Sequence, residues 1–117
     1  MKFRFQDFKI WQSAIQIADE LFTIADELEK KRLFRFAEQL RGSAMSISNN
    51  IAEGSGSSSK KEFKQFLNIA RRSTFETANI LILLERRSLI SGESLDDHCN
   101  QLDLLCRQIT SFQNSLK

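Results

Sequence analysis

Not one of the 117 residues is a proline, and only four are glycines. These two residues are the strongest local breakers of regular structure, so little in this chain can interrupt a helix. Turn-rich all-β designs need them at their corners, and collagen-like or Pro-rich folds are made of them; all three are excluded. Hydrophobic residues make up 41% and charged residues 27%, the balance of a soluble globular chain rather than a disordered one. The length fits a single domain, residues 1–117. A domain of this size hides only about two-thirds of its extended surface, so its stability is modest unless copies associate.

Apolar spacing divides the chain into four helices. The first is expected from an N-cap at Asp7 to about Lys31, with Phe8, Trp11, Ala14, Ile15, Ala18, Leu21, Phe22, Ala25 and Leu28 on one stripe. Leu33 and Phe34 are expected to pin the turn that follows. The second spans about Arg35 to Glu53, with a narrow stripe of Phe36, Leu40, Ala44, Ile47 and Ile51. A second, small and polar seam runs through Gln39, Gly42, Ser46, Asn49, Asn50 and Glu53. Glycine inside a helix costs about 1 kcal/mol against alanine, so Gly42 implies close approach by another helix. Gly54 fits the left-handed residue that ends the second helix.

Ser55-Gly56-Ser57-Ser58-Ser59 reads as a loop, and Ser59 with Glu62 as a capping box opening a third helix to about Arg87. A turn at 88–93 then leads to a fourth helix capped by Ser94 with Asp97. Its apolar face is Leu95, Cys99, Leu102, Leu105, Cys106, Ile109, Phe112 and Leu116. Four helices on short turns make an all-α, antiparallel up-down four-helix bundle.

Charge separates the third helix from the rest. Residues 1–59 hold eight basic and eight acidic side chains, whereas residues 60–87 hold seven basic and three acidic, a surplus of four. Lys60, Lys64 and Arg71 share one side of that helix, with Lys61, Arg72 and Arg86 further round and Phe63, Phe66, Ala70 and Leu81 opposite. Such a stripe is either a solvated face or a surface for polyanions. Ile80-Leu81-Ile82-Leu83-Leu84 is apolar all round. A bundle core covers one face only, so Phe75, Ala78 and Ile82 are expected at a contact between subunits, unless Phe3 and Phe5 fold over them.

Catalytic and metal-binding motifs are missing. A di-iron bundle needs Glu-x-x-His on two helices, but His98 is the sole histidine and Leu95 stands three before it. Cys99 and Cys106 lie about 10 Å apart by helical rise, too far to bridge, and read as core hydrophobes in a reducing cytoplasm. No Walker loop, dinucleotide fingerprint or nucleophile elbow is present, though one sequence does not exclude a Ser-His-acid grouping. Glu53 and Glu76 read as hydrogen-bonding between helices rather than as an acid/base pair. The chain is therefore expected to be no enzyme and to need no cofactor. The segment from Lys2 to Asp7 has no signal-peptide core, and no run is apolar enough for a membrane span.

The string Gln39-Leu40-Arg41-Gly42-Ser43-Ala44-Met45-Ser46-Ile47, running into Asn49-Asn50-Ile51-Ala52-Glu53-Gly54, resembles the four-helix bundle proteins encoded in intervening sequences of bacterial 23S rRNA genes. Phe5-Gln6-Asp7-Phe8 with Trp11-Gln12, and Glu62-Phe63 with Phe66-Leu67, Ala70, Ser73 and Glu76, agree with it. The accessory protein of diversity-generating retroelements is similar in fold. The resemblance implies a homopentameric ring, no enzymatic activity, and structural roles for Gln39, Asn50, Glu53, Gly54 and Glu76. Arg72 stands where that family usually has a small residue, and Ser55-Gly56 where it often has a base.

Together these point to a ring contacting RNA or DNA backbone through Arg41, Lys60, Lys61, Lys64, Arg71 and Arg72, largely without sequence readout. One Trp and no Tyr argue against a base-stacking platform. The alternative is a scaffold that docks an acidic protein partner.

Overall fold

A computed structural model describes residues 2–117. A 3-10 turn at Arg4–Asp7 precedes four helices: α1 (Lys9–Lys30), α2 (Phe34–Ser55), α3 (Lys60–Arg86) and α4 (Gly92–Ser115). There is no strand among the described residues. The helices pack as a bundle of 45 × 27 × 20 Å. Its long axis suits α3, whose 27 residues rise about 40 Å. The α1–α2 and α2–α3 seams are the broadest, and the α1–α4 seam is the thinnest.

The core follows from the periodicity, with one shift. Leu21, Leu28, Leu40, Ile47, Ile51, Leu67, Leu81, Leu84, Leu102, Leu105 and Ile109 are fully buried. On α1 the stripe leans toward Ile10 and Ile17, which are buried where Trp11 and Ile15 are only half-buried. On α2 it leans toward Ala37, Ser43 and Ser48. These small residues let neighbouring backbones approach, so the buried face of α2 is wider and more polar than its large residues show.

Several helix ends differ from expectation. Asp7 does not cap α1: it lies in the 3-10 turn and pairs with Lys2 at 2.7 Å. Phe8, in extended conformation, precedes the first turn, and its carbonyl accepts from Gln12 N (3.0 Å). Ser91, not Ser94, caps α4, its hydroxyl accepting from Ser94 N (3.0 Å). Ser59 does cap α3, accepting from Glu62 N (3.1 Å).

The left-handed residues are not glycines. Arg32 (φ 63°) and Ser88 (φ 59°) end α1 and α3, and no glycine has positive φ. Both ends close the same way. Leu33 N reaches Leu28 O and Arg32 N reaches Glu29 O, each at 2.9 Å; Leu89 N reaches Leu84 O at 2.8 Å and Ser88 N reaches Glu85 O at 2.9 Å. This is the Schellman pattern, with a leucine folding back on a leucine each time. Lys30 and Arg86 stand in the last turns, where cations favour the helix dipole.

Gly54 instead lies inside α2, buried. A Cβ built on it meets Phe66 Cβ at 2.8 Å and Phe63 Cδ1 at 2.9 Å. It is a seat for α3, not a helix terminator. Gly42 is exposed and has nothing within 4 Å of a built Cβ, so the close approach expected there is absent.

Above Gly54 sits an aromatic cluster. Phe8, Phe63 and Phe112 bring α1, α3 and α4 together with ring centroids 5.0–6.3 Å apart. The Arg4 guanidinium lies 5.5 Å from the Phe8 ring centre and 5.9 Å from that of Phe63. It also donates to Ser55 O at 2.9 Å, placing a cation on the last turn of α2.

Gly54→Ala is expected to destabilise the fold by about 1–3 kcal/mol, because Phe66 Cβ is fixed to its own helix and only separation of α2 from α3 relieves the clash. Ser88→Gly is expected to stabilise it by about 0.5–1 kcal/mol by removing the left-handed strain. Urea unfolding of both variants checks the two opposite signs.

Candidate nucleic-acid interface

The middle of the α2–α3 seam is a row of hydroxyls. Ser46 Oγ and Ser73 Oγ are 2.8 Å apart, and Thr77 Oγ1 donates to Ser43 Oγ at 3.0 Å. Ser43, Ser73, Thr74 and Thr77 are all buried, and each hydroxyl also lies within bonding distance of a carbonyl of its own helix. The α2–α3 seam thus fixes which side of α3 turns outward. The spacing of Ser43 and Ser46 against Ser73 and Thr77 carried this signal in the sequence, masked by the larger polar residues beside it.

The structural motif residues fall differently. Asn50 Nδ2 donates to Ser46 O (2.7 Å) and to Ser46 Oγ (3.0 Å), tightening that row. Gln39, Glu53 and Glu76 are exposed. The hydrogen bonds between helices expected of Glu53 and Glu76 are not formed: neither carboxylate has a hydrogen-bond partner among the described residues.

The outward side of α3 carries the bases. Lys60, Lys61 and Arg72 are exposed. Lys64 is half-buried, and its carbonyl accepts from Gln113 Nε2 of α4 (2.8 Å). Arg71 is half-buried and donates from one terminal nitrogen to Thr110 Oγ1 (3.1 Å), while its Nε is buried without a partner. Arg41 stands apart. It bridges α2 to α1, with Asp26 at 2.6 Å and Glu29 at 2.9 Å. Those hydrogen bonds, Asp26 first, push its pKa further up. Its charge is spent inside the molecule.

The ion pairs of the described residues are Lys2–Asp7, Lys30–Glu27, Arg41 with Asp26 and Glu29, and Arg107–Asp103, with His98 beside Glu20 forming another only when its ring is protonated. None involves α3. The seven cations of residues 60–87 are therefore uncompensated by any carboxylate within ion-pair distance.

Beyond the bases, α3 becomes apolar on the same side. Phe75 is 66% exposed, Ile82 44% and Leu83 45%, with Ala78 half-buried. Phe75, Ala78 and Ile82 line a groove of about 330 Å³ against Cys99, Leu102 and Cys106 of α4. Phe3 and Phe5 do not cover it: Phe3 stacks on Phe5 and Phe5 on Trp11 (centroids 5.6 and 5.3 Å), and the 3-10 turn packs on α1 and α2.

One Ser-His-acid grouping does form. His98 Nε2 lies 3.5 Å from Glu20 Oε1, and Ser94 Oγ lies 3.3 Å from Nδ1. Nδ1 is closer still, 2.7 Å, to the Ser94 carbonyl oxygen. A carbonyl only accepts, so Nδ1 carries a proton and has no lone pair to activate the hydroxyl. The grouping ties α4 to α1, helped by Gln101 Nε2 donating to Glu20 Oε1 (3.3 Å). No group of three or more His, Cys, Asp or Glu among the described residues is placed to hold a metal ion. No helix among them is long and apolar enough to cross a membrane.

These features define a small all-helical bundle with one uncompensated basic face. The chain belongs to the family described as 23S rRNA-intervening sequence protein, which matches residues 6–111. A crystal structure of a protein of unknown function from the S23 ribosomal protein family of Bacteroides thetaiotaomicron is similar over 91% of this chain and 99% of that one. The TM-score is 0.85 at 24% identity, a likeness of fold. No curated protein matches the chain.

Burial, and then the nearby Asp96 carboxylate, push the Cys99 thiol above its ordinary pKa. A raised pKa means less thiolate at a given pH. Cys99 is expected to alkylate with iodoacetamide more slowly than free cysteine at mildly alkaline pH, its rate climbing only as pH passes the usual thiol range. Peptide mass spectrometry checks it, and a rate equal to that of free cysteine would contradict the assignment.

Proposed function

We propose that this chain is a non-enzymatic, oligomeric binding protein that lays the basic face of α3 along RNA or DNA backbone. One observation carries the reading: six cations gather on α3 and a seventh, Arg87, follows it directly, and no carboxylate among the described residues pairs with any of them. Lys60 and Lys61 stand in the first turn of α3, at the positive end of its dipole, where a cation is unfavourable without an anion nearby. Lys60, Lys61, Lys64, Arg71 and Arg72 are the contacts; Arg41, occupied by Asp26 and Glu29, is not. Phosphate contacts position a strand without reading its sequence.

A handful of such contacts binds weakly, and repetition in a ring multiplies them. The resemblance to the intervening-sequence proteins supports a homopentamer of up-and-down, antiparallel bundles. The antiparallel order is supported by contact pairs whose numbers rise on one helix as they fall on the next. Ser43 meets Thr77 while Ser46 meets Ser73, and Lys64 at the start of α3 meets Gln113 at the end of α4. The apolar residues beyond Phe75 on that side, Ala78, Ile82 and Leu83, support contact between copies. Cys99 and Cys106 are free thiols, in keeping with the cytoplasm as its place of work.

Oligonucleotide titration at two salt concentrations tests the reading. Three to five phosphate contacts per subunit predict a fall in affinity of about 20- to 130-fold for a single strand, and about 40- to 500-fold for a duplex, between 50 and 200 mM salt. No binding at the lower salt sinks it. Capture of a defined acidic protein, with no salt-sensitive oligonucleotide shift, favours the scaffold instead. Ile82→Glu is expected to reduce the solution mass to the 13.5 kDa subunit, since it would bury an unpaired charge between copies. A wild-type mass already at that value removes the ring.

A further inference from the structure

We infer that Phe75 is a stacking platform for an unpaired nucleobase, with Arg71 and Arg72 holding the flanking phosphates, so that the strand bound is single. This rests on the proposed contact between α3 and nucleic acid, and it names the form of nucleic acid taken.

Phe75 is the most exposed large hydrophobic side chain among the described residues, at 66%. It lies mid-helix, where packing gives no reason for a ring to face water. Arg72 and Arg71 precede it by three and four residues, the spacings that make neighbours on one helix face. All three line one concavity of about 240 Å³. Thr110 on α4 holds the Arg71 guanidinium at 3.1 Å, and its Nε still lacks a partner. The guanidinium is thus held in place in advance; its Nε is buried, so an anion meets it through its terminal nitrogens.

Two acids lie nearby and neither pairs with Arg71 or Arg72, although the Glu76 carboxylate opposes a phosphate held at Arg72. Asp103 shares the groove beside Phe75 but is paired with Arg107 at 3.2 Å. Glu76 shares the α2–α3 concavity with Arg72 and makes no ion pair with it. Asn79, one turn past Phe75 on the α3–α4 groove, offers an amide to a base edge. Lys64 and Lys60 continue the cationic track toward the start of α3, about 6 Å apart along the axis.

The chemistry selects a single strand. A base inside a duplex has both faces covered by its neighbours, whereas an unstacked base offers its face to an aromatic ring and its phosphates to arginine. A second copy of this chain is a poorer occupant. Covering Phe75 with a neighbour's apolar surface would also bring that surface over Arg71 and Arg72, which costs desolvation unless a carboxylate meets them. Phe75 therefore leaves the contact between copies, which rests on Ala78, Ile82 and Leu83.

Fluorescence anisotropy with a single-stranded oligothymidylate, a single-stranded oligouridylate and a DNA duplex tests this, with solution mass measured alongside. Phe75→Leu keeps an apolar residue but removes the ring. It is expected to weaken both single strands by about 5- to 100-fold and to leave the duplex unchanged. Phe75→Trp is expected to keep single-strand affinity and to show tryptophan quenching on binding. Equal binding of duplex and single strand, both indifferent to Phe75→Leu, overturns the stacking platform and leaves the backbone contact standing. No binding of any oligonucleotide by the wild type removes both. A drop in solution mass on Phe75→Leu assigns the ring to a second copy instead.

Discussion

Small side chains at the α2–α3 seam hold the structure in its arrangement. At one end Gly54 lets Phe63 and Phe66 come closer than any Cβ would permit. In the middle Ser43 and Ser46 meet Thr77 and Ser73 through hydroxyls. Larger apolar residues at these positions would bury more surface but push the helices apart. Buried hydroxyls add little net energy when satisfied and cost a good deal when left alone, so they act mainly as register marks. With that register set, the buried face of α3 is decided, and so is the face left outside. The exposure of Lys60, Lys61, Arg72 and Phe75 is a consequence of where Gly54 and Thr77 sit.

The helices were legible because their apolar positions repeat at the helical period over long stretches with nothing to break them. Their ends were less so. Asp7 looked like a cap, yet Arg4–Asp7 forms its own turn, anchored by Arg4 on Ser55 O and on two phenylalanine rings. A contact 51 residues away in sequence leaves no local trace. Gly54 looked like a left-handed terminator because glycine after a helix usually is one. Its missing side chain serves packing instead, while Arg32 and Ser88 take the strained backbone. At those ends a leucine three places past the helix packs against the core, and that burial outweighs a penalty of about 1–2 kcal/mol. The paired Leu28–Leu33 and Leu84–Leu89 spacings were the available signal.

The candidate basic residues divide on folding into those without a carboxylate partner and one, Arg41, that has two. Counting charges along the chain singled out residues 60–87, and the three-dimensional pairing sharpens the contrast. Arg41 belonged by type to the basic set, but only folding shows that Asp26 and Glu29, on the preceding helix, come within 2.6 and 2.9 Å of it. Glu53 and Glu76 failed the opposite way: their small neighbours promised close backbones, and both carboxylates face outward. Periodicity assigns a residue to a side of its own helix. It does not say which helix, if any, faces that side.

Aromatic content and aromatic placement point in different directions. With one Trp and no Tyr, the composition argued against stacking. Composition counts residue types, while stacking depends on which ring reaches solvent beside a cation. Most of the ten phenylalanines do serve the interior or the ends of the bundle: Phe63 is buried, and Phe8 and Phe112 close the aromatic cluster. Phe75 is different because α3 outruns the part of its surface that the bundle can cover. A helix with a basic first half and an apolar second half on one side has a single junction between the two, and Phe75 stands there with Arg71 and Arg72 one turn behind. A strand of nucleic acid is itself built as charge beside ring, phosphate beside base. The junction matches that alternation more closely than either half of the helix does alone.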